Sequence, residues 1–310
     1  MLMNDPLAYL WLLIMGMMIG SFLNVLIYRT PALLLADFDQ EEEEAEVDIP
    51  AALLPRFGFA LNYVWSDLKY SISYLFSDFW TEANTVLKGI SFPGSHCGSC
   101  QHSIAWYDNL PVISWFVLGG KCRNCHQPYS LRYPAIEALT GGLFVYVLWL
   151  KGLTPDLLFW MFLVSALWAI FWIDVDTQFI FNVMTYPSIL LGILYNGTKG
   201  NLKWSLGGGL LAWCLFEVVV FLSIWMLQKE GMGGGDVKLA VLLGVWLGPL
   251  QLLVSLGLAF LAGSLAGVLL LMVYRQSRPF PFGPFLVLGG LASMAVGESL
   301  WAWYIEKSIG

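Results

Sequence analysis

Residues 239–274 read LAVLLGVWLGPLQLLVSLGLAFLAGSLAGVLLLMVY, which is 36 residues without an Asp, Glu, Lys or Arg. As an α-helix at about 1.5 Å per residue, this stretch would be about 54 Å long. About 20 apolar residues are enough to cross the hydrocarbon core of a bilayer, which is about 30 Å thick. The stretch is therefore too long for a single membrane pass. The residues GPLQ at 248–251 could form a turn within it. The sequence predicts two membrane-spanning helices here, at 237–249 and 252–273.

The composition of the whole chain indicates the same class of protein. Of 310 residues, 58% are hydrophobic and 12% are charged, with a mean hydropathy of +0.70. Soluble domains carry about 25% charged residues. The net charge of −7 argues against a basic surface for nucleic acid. We therefore predict an all-α polytopic membrane protein with about eight transmembrane helices. The predicted spans are 7–28, 134–150, 157–173, 181–196, 204–227, 237–249, 252–273 and 284–304.

The basic residues predict the orientation of these helices. With eight spans, 11 of the 15 Lys and Arg residues fall on one side. Basic residues concentrate on the cytoplasmic side of membrane proteins, so both termini are expected outside and the first long loop inside. The first span lacks a basic segment before it, so we expect it to be retained rather than removed as a signal peptide.

The predicted spans divide the chain into three parts: a first transmembrane helix at 1–31, a cytoplasmic loop at 32–133 and a transmembrane core at 134–310. The loop begins with an acidic segment, 36–48, that is typical of a solvated, disordered linker. An alternative is that this segment attracts a basic ligand to the membrane face. Residues 61–87 follow with the pattern of an amphipathic helix, which is expected to lie on the bilayer surface.

Two CxxC motifs in the loop predict a metal site. Cys97 and Cys100 form the first pair, Cys122 and Cys125 form the second, and 21 residues separate them. This spacing is typical of a zinc site with four cysteine ligands, which is structural because the ligands leave no position for water. We therefore predict a zinc-binding module at 92–130. Two disulfides are the alternative, which a reducing cytoplasm disfavours.

Other side chains near and beyond this module have simpler interpretations. The fifth cysteine, Cys214, lies inside a predicted span and is expected to pack in the interior. His96, His102 and His126 flank the CxxC motifs and are expected to be surface residues, although His96 or His126 could replace a cysteine ligand. Gly98 and Asn124 are expected to allow the turns of the two knuckles.

Carboxylates at the ends of predicted spans suggest chemistry. Asp174 and Asp176 end the third span, Asp236 follows GMGGG before the sixth, and Glu217 lies deep in the fifth. Taken singly, the aspartates fit helix ends, and Asp236 fits an N-cap. The predicted topology, however, places both aspartate motifs on one face. Two close carboxylates cannot both ionise, so one can activate water while the other, protonated, polarises a carbonyl group.

The glycines before Asp236 add to this prediction. Gly233 and Gly235 would let an extended peptide approach the backbone beside the aspartate. GMGGGD lacks the spacing of a dinucleotide or phosphate loop, and Lys238 is not in a GK[ST] context. Phosphate binding is therefore not expected at this segment.

Six segments together resemble bacterial type IV prepilin peptidases. They occur in the order known for that family and cover most of the chain outside roughly 32–92. The segments are GSFLNVLIYRTP (20–31), the double CxxC, RYPAIE (132–137), DVDTQFI (174–180), EGMGGGDVKLA (230–240) and FPFGPFL (280–286).

The resemblance implies an eight-span inner-membrane aspartic protease of the GxGD class. Asp174 and Asp236 correspond to its catalytic aspartates, with Asp176 as an alternative partner, and Gly233, Gly235 and Lys238 are supporting residues. One departure from the family pattern is Phe181, where proline is common, so the turn after the DxD motif could differ.

The family's activities follow from the same resemblance. Its substrates are type 4 prepilins and pseudopilins of pili and type II secretion, whose basic leaders are cleaved after a glycine at the cytoplasmic membrane face. Members with the cysteine loop also N-methylate the new N-terminus with S-adenosylmethionine. The resemblance places this second activity no more closely than the region of GSFLNV and the cysteine loop.

Two alternatives from other classes remain at this point. The first is an ion- or proton-coupled transporter that uses Glu217 and the aspartates. The second is a zinc-stabilised assembly scaffold that has no catalytic activity.

Overall fold

The computed structural model describes residues 6–38, 53–228, 231–274 and 280–309. Within these ranges the chain forms ten α-helices, and β-structure is limited to two isolated bridges. The helices are α1 (Pro6–Phe38), α2 (Leu53–Ser77), α3 (Phe79–Ser91), α4 (Ile113–Val117), α5 (Arg132–Lys151), α6 (Leu157–Thr177), α7 (Asn182–Thr198), α8 (Leu202–Leu222), α9 (Gly234–Tyr274) and α10 (Gly283–Ile309). The predicted all-α class is confirmed. Most of the acidic segment 36–48 lies outside the described residues.

Six helices in the described ranges are long and apolar enough to cross a membrane. They are Pro6–Leu35, Arg132–Lys151, Leu157–Thr177, Leu202–Leu227, Gly234–Val273 and Gly283–Lys307. The eight predicted spans are consistent with these six helices, because one predicted span falls on a shorter helix and two others fall on a single long one. The predicted span at 181–196 corresponds to α7, which has only 17 residues. The predicted spans at 237–249 and 252–273 are the two halves of α9.

The two halves of α9 meet at a break whose hydrogen bonds are replaced from neighbouring helices. Gly248 has φ 76° and ψ 173°, which is not helical, and Pro249 follows it. Because proline has no N–H, the carbonyl group four residues earlier, that of Val245, loses its helical donor. Side chains of Asn196 (3.1 Å) and Ser205 (2.8 Å) donate to that carbonyl instead. The turn predicted at GPLQ is thus a sharp, satisfied break.

The chain divides into two compact units, and α3 and α6 each contribute residues to both. One unit comprises Met1–Phe38 with Asn84–Ala169, and the other comprises Asp39–Ala83 with Ile170–Gly310. These two units are defined by how the residues pack, whereas the predicted boundaries near 31 and 133 mark where the chain is expected to enter the membrane. The predicted division into three parts therefore stays a prediction.

In the first unit, α1 packs against α5. The helices approach closely because Gly16 lies against Gly141, where a Cβ would stand 2.8 Å from the Gly141 Cα. Further along the same two helices, the Asn24 amide of α1 donates to the Tyr133 carbonyl of α5 at 3.1 Å. The Arg29 guanidinium donates to the carbonyls of Gly89, Ile90, Pro93 and Gly94. The N-terminal helix and the start of the cysteine module are therefore joined by hydrogen bonds.

In the second unit, α9 packs against α7, α8 and α10. The predicted amphipathic segment 61–87 forms the end of α2 and most of α3. α2 packs on α8 and on the π-helical turn Ser223–Leu227, where Phe57 meets Phe221 and Trp225 edge-on. Its predicted place on a bilayer surface stays a prediction. Cys214 is exposed on α8, so its interpretation as an interior packing residue was wrong.

Candidate active site and candidate metal centre

Asp174 lies near the C-terminal end of α6 and is 4% exposed. The backbone N–H of Gly283, the first residue of α10, interacts with its carboxylate. A Cβ on Gly283 would stand 2.5 Å from Oδ2 of Asp174, so only glycine leaves room for this carboxylate. Within the described part of the chain, Oδ2 has no hydrogen-bond donor. Asp174 therefore places an unsatisfied oxygen atom in a tight space at the start of α10.

Asp236 lies close enough to Asp174 for the two charges to interact. Ile180 connects their surroundings: a Cβ on Gly235 would stand 2.9 Å from the Ile180 Cβ, and one on Gly283 would stand 3.3 Å from its Cδ1. The segments DVDTQFI, GMGGGD and FPFGPFL thus meet around one side chain. Asp236 lies in the first turn of α9 rather than before it, so the alternative of a simple N-cap was wrong.

Asp176, two residues further along α6, is exposed, whereas Asp174 is buried. Residues two apart in a helix point to different sides, so the two carboxylates of the DxD motif face different surroundings. The turn after them accommodates the departure from the family pattern, because Phe181 has φ −75°. That value lies within the range that proline imposes, so phenylalanine keeps the backbone angle that proline would give.

The glycines before Asp236 lie at the surface. Gly231, Gly233 and Gly234 are exposed, and no heavy atom lies within 4 Å of a Cβ built on Gly233. The Gly231 N–H donates to Ser223 Oγ at 3.0 Å, which fixes the turn to the π-helical segment. The turn therefore presents accessible backbone next to the carboxylates. Lys229 and Glu230 lie outside the described residues.

Lys238, one turn into α9, lies near aromatic and acidic side chains of other helices, and the sequence did not predict these contacts. Its ammonium group is 5.9 Å from the ring centroids of both Tyr70 and Tyr186. Asp67 on α2 and Glu82 on α3 both interact with its charge. These acids lie in the segment predicted only as an amphipathic helix, a pattern that reveals a helical face but not its partner.

Asp67 and Glu82 connect α2 and α3 to the glycine turn. Asp67 Oδ1 is 3.6 Å from the position of a Cβ on Gly234. The Tyr74 hydroxyl donates to the Glu82 carboxylate. Burial raises the pKa of Glu82 above its usual value, and burial also raises the pKa of Tyr74. Glu217, buried on α8, interacts electrostatically with Asp67.

The four predicted metal ligands come together. The sulfur atoms of Cys97, Cys100, Cys122 and Cys125 all lie within 4.8 Å of one another, and none forms a disulfide. The sulfurs of Cys97 and Cys125 are 3.7 Å apart. Tetrahedral ligands at about 2.3 Å from zinc would be about 3.8 Å apart, so the cluster has the dimensions of a zinc site. The three histidines remain outside it.

Each CxxC motif forms the same tight knuckle. The N–H of Cys97 donates to the His102 carbonyl, and that of Cys122 donates to the Gln127 carbonyl, both at 2.9 Å. Gly98 and Asn124 lie in the turns of the two knuckles, as expected, and the left-handed residues Gln101 (φ 57°) and His126 (φ 58°) directly follow these turns. The backbone N–H groups of Cys100 and Ser99 lower the pKa of Cys97 to about 6, which favours the thiolate that binds metal.

Two interacting aspartates at helix ends, beside an accessible glycine turn, can divide the proton transfers of peptide hydrolysis between them, as in the class of aspartic peptidases. Comparison with known proteins agrees with this class. Residues 14–151 match the Bacterial Peptidase A24 N-terminal domain, and residues 161–271 match the Type IV leader peptidase family. The chain belongs to the type IV leader peptidase family, as the sequence resemblance indicated.

Curated relatives match over nearly their full length. A protein of Stutzerimonas stutzeri is 31% identical over 98% of this chain and 96% of its own. A protein of Aeromonas salmonicida (strain A449) is 33% identical over 94% of this chain and 91% of its own length. A protein of Pseudomonas aeruginosa is 30% identical over 98% of this chain and 96% of its own length. All three are named prepilin leader peptidase/N-methyltransferase. No solved structure matches the chain. The chain is therefore an enzyme, and the transporter alternative is not favoured.

Proposed function

We propose that this enzyme cleaves the leaders of type 4 prepilins and pseudopilins and N-methylates the new N-terminus. The observation that carries the peptidase assignment is the pairing of Asp174 with Asp236 around Ile180. Supporting it, the relatives that match over nearly their full length are named for both activities.

The two aspartates divide the proton transfers of hydrolysis between them. The N-terminus of α10 faces Asp174 and favours negative charge there, so we assign the shared proton to Asp236. Asp174 then takes a proton from water while the water oxygen bonds to the carbonyl carbon of the leader's last glycine. Asp236 donates its proton to the amide nitrogen, which leaves as the new N-terminal amine. Asp176 has no role in this scheme.

The glycine turn supplies the substrate's contacts beside this pair. Gly233 and Gly234 are exposed, and a Cβ on either residue would be a new obstacle next to Asp236. An extended peptide could therefore bind against their backbone groups. Lys238 and Asp67 support the turn from the side of α2.

The four cysteines would hold one zinc ion with a structural role. Four thiolates complete a tetrahedral shell. The Asp108 carboxylate, in the short helix Trp106–Asn109 between the knuckles, pairs with Arg123 of the second knuckle at 2.6 Å. The Arg123 guanidinium also holds the pKa of Asp108 below its usual value. S-adenosylmethionine would supply the methyl group of the second reaction.

The orientation follows the basic residues of the sequence. We assign the chain to the bacterial inner membrane with both termini in the periplasm, and the cysteine module and aspartates on the cytoplasmic side. The basic leaders of the substrates would then reach the site from the cytoplasm. The acidic run Glu41–Glu44, which would attract them, lies outside the described residues.

Mass spectrometry of a co-expressed candidate prepilin tests both activities at once. We expect a mass loss equal to the leader, a new N-terminus immediately after a glycine, and a gain of one methyl group. A pilin that keeps its leader in the presence of this enzyme would contradict the peptidase assignment. Cleavage without the added methyl group would contradict only the second activity.

A further inference from the structure

A cavity of about 780 Å³ lies in the first unit, lined by α1, the cysteine module and the start of α5. Small-molecule sites in proteins usually measure about 300–1,000 Å³, so the cavity has the size of a ligand site. The residues that line it belong to the first unit, whereas Asp174 and Asp236 belong to the other unit. The proposed peptidase mechanism therefore leaves this cavity without a function.

A buried carboxylate, that of Glu137, lines the cavity. Glu137 is 9% exposed, and its Oε2 accepts a hydrogen bond from the Val112 N–H at 2.7 Å. Ser21 and Asn24 on α1 also donate to it. Val112 has φ 62° and ψ −50°, which is an outlier for a β-branched residue. Such backbone strain concentrates at functional sites, and here it aims an N–H at the carboxylate.

The cavity lining carries two cations and two acids, and of the two acids Glu137 is the one for which the described residues show no ion pair. Arg29, which lines it, donates to four backbone carbonyls, and Asp108 is paired with Arg123. Tyr129 and Tyr133 add ring surfaces, with centroids 6.4 Å apart and planes at 79°. Aromatic faces next to a carboxylate suit a ligand with a positive charge and a flat base.

We propose that this cavity binds S-adenosylmethionine, with the Glu137 carboxylate next to its sulfonium group. The inference rests on the proposed N-methyltransferase function and locates that function in the first unit. The ligand offers the expected chemistry, a cationic sulfur and an adenine ring. After methyl transfer the sulfur is a neutral thioether. A carboxylate next to the sulfur would therefore bind S-adenosylmethionine more tightly than the demethylated product, S-adenosylhomocysteine.

Titration calorimetry of the purified full chain in detergent tests this difference. We expect Glu137→Gln to weaken binding of S-adenosylmethionine about tenfold, the size of a lost hydrogen bond to a charged group. Binding of S-adenosylhomocysteine should change much less, since its sulfur carries no charge. The matched control is Glu298→Gln, an exposed acid on α10 that accepts from Gln251 and should leave both affinities unchanged.

A second variant covers the case in which Glu137→Gln fails to fold. Ser21→Leu keeps the carboxylate but fills space beside it, so both ligands should bind more weakly by similar factors. Leader cleavage by either variant verifies that the other unit is intact. If wild-type enzyme methylates a prepilin but both variants bind S-adenosylmethionine as the wild type does, this location is wrong and the methyltransferase function stands. Cleavage by wild type without methylation or donor binding would overturn both.

Discussion

Gly283 has no side chain at the point where Asp174 turns its carboxylate toward α10, and a Cβ there would stand 2.5 Å from Oδ2. The glycine comes from FPFGPFL, more than 100 residues after the aspartate. Its N–H and the first turn of α10 face the same carboxylate. The close approach therefore provides both space and positive electrostatic potential to one of the two proposed catalytic groups.

Replacing Gly283 with alanine should inactivate the peptidase without unfolding the chain. The added methyl group must displace the Asp174 carboxylate, and displacement of a catalytic group by about 1 Å can cost about 100-fold in rate. We expect leader cleavage to fall by that order while thermal unfolding in detergent changes little. The control is Gly257→Ala in α9, where no atom lies within 4 Å of the new Cβ. Equal cleavage by the two variants would show that the contact has no importance for catalysis.

The aspartates themselves should separate into an essential pair and a dispensable neighbour. Asp174→Asn and Asp236→Asn each remove a proton-transfer group, so cleavage should fall by about 10²–10⁴-fold. Because the two groups act as a unit, the double variant should be little worse than either single one. Asp176→Asn, at an exposed position in the same motif, should cleave at close to the wild-type rate. Full activity in either Asp174→Asn or Asp236→Asn would disprove the assignment.

The sequence predicted this pair because the expected topology puts the end of one helix and the start of another on one face at similar depth, where their carboxylates can meet. It also predicted the cysteine cluster, because short motif spacing limits which geometries four thiolates can adopt. It did not predict that Asp67 would contact the glycine turn or that Glu137 would line a cavity. Amphipathic periodicity identifies the buried face of a helix, but the partner of that face depends on long-range packing.

Metal analysis should find about one zinc ion per chain, held by the four cysteines. Cys97→Ser removes one of the four sulfur atoms that lie within 4.8 Å of one another, so we expect loss of bound zinc and a lower melting temperature. Cys214→Ser is the matched control, because Cys214 is exposed on α8 and far from the module in sequence. Protein purified without chelator that contains no zinc would contradict the prediction, as would full zinc content in the Cys97 variant.

Glu82 should make the stability of the chain depend on pH in a predictable direction. Burial raises the pKa of its carboxyl group in the folded chain above the unfolded value. The folded state therefore holds this proton more tightly, and the resulting stability is lost as pH rises through the folded pKa. Glu82→Gln cannot ionise but keeps an oxygen for the Tyr74 hydroxyl. We expect the melting temperature of this variant, relative to wild type, to increase between pH 5 and pH 8.

The matched control for that experiment is Glu306→Gln, an exposed acid near the end of α10. Its melting temperature relative to wild type should stay constant over the same pH range, because an exposed carboxylate remains hydrated in both states. A Glu82→Gln variant whose relative melting temperature falls with increasing pH would mean that the ionised carboxylate stabilises the fold. In that case the attraction between Glu82 and Lys238 would outweigh the burial of Glu82, and α3 would be held against α9 mainly by charge.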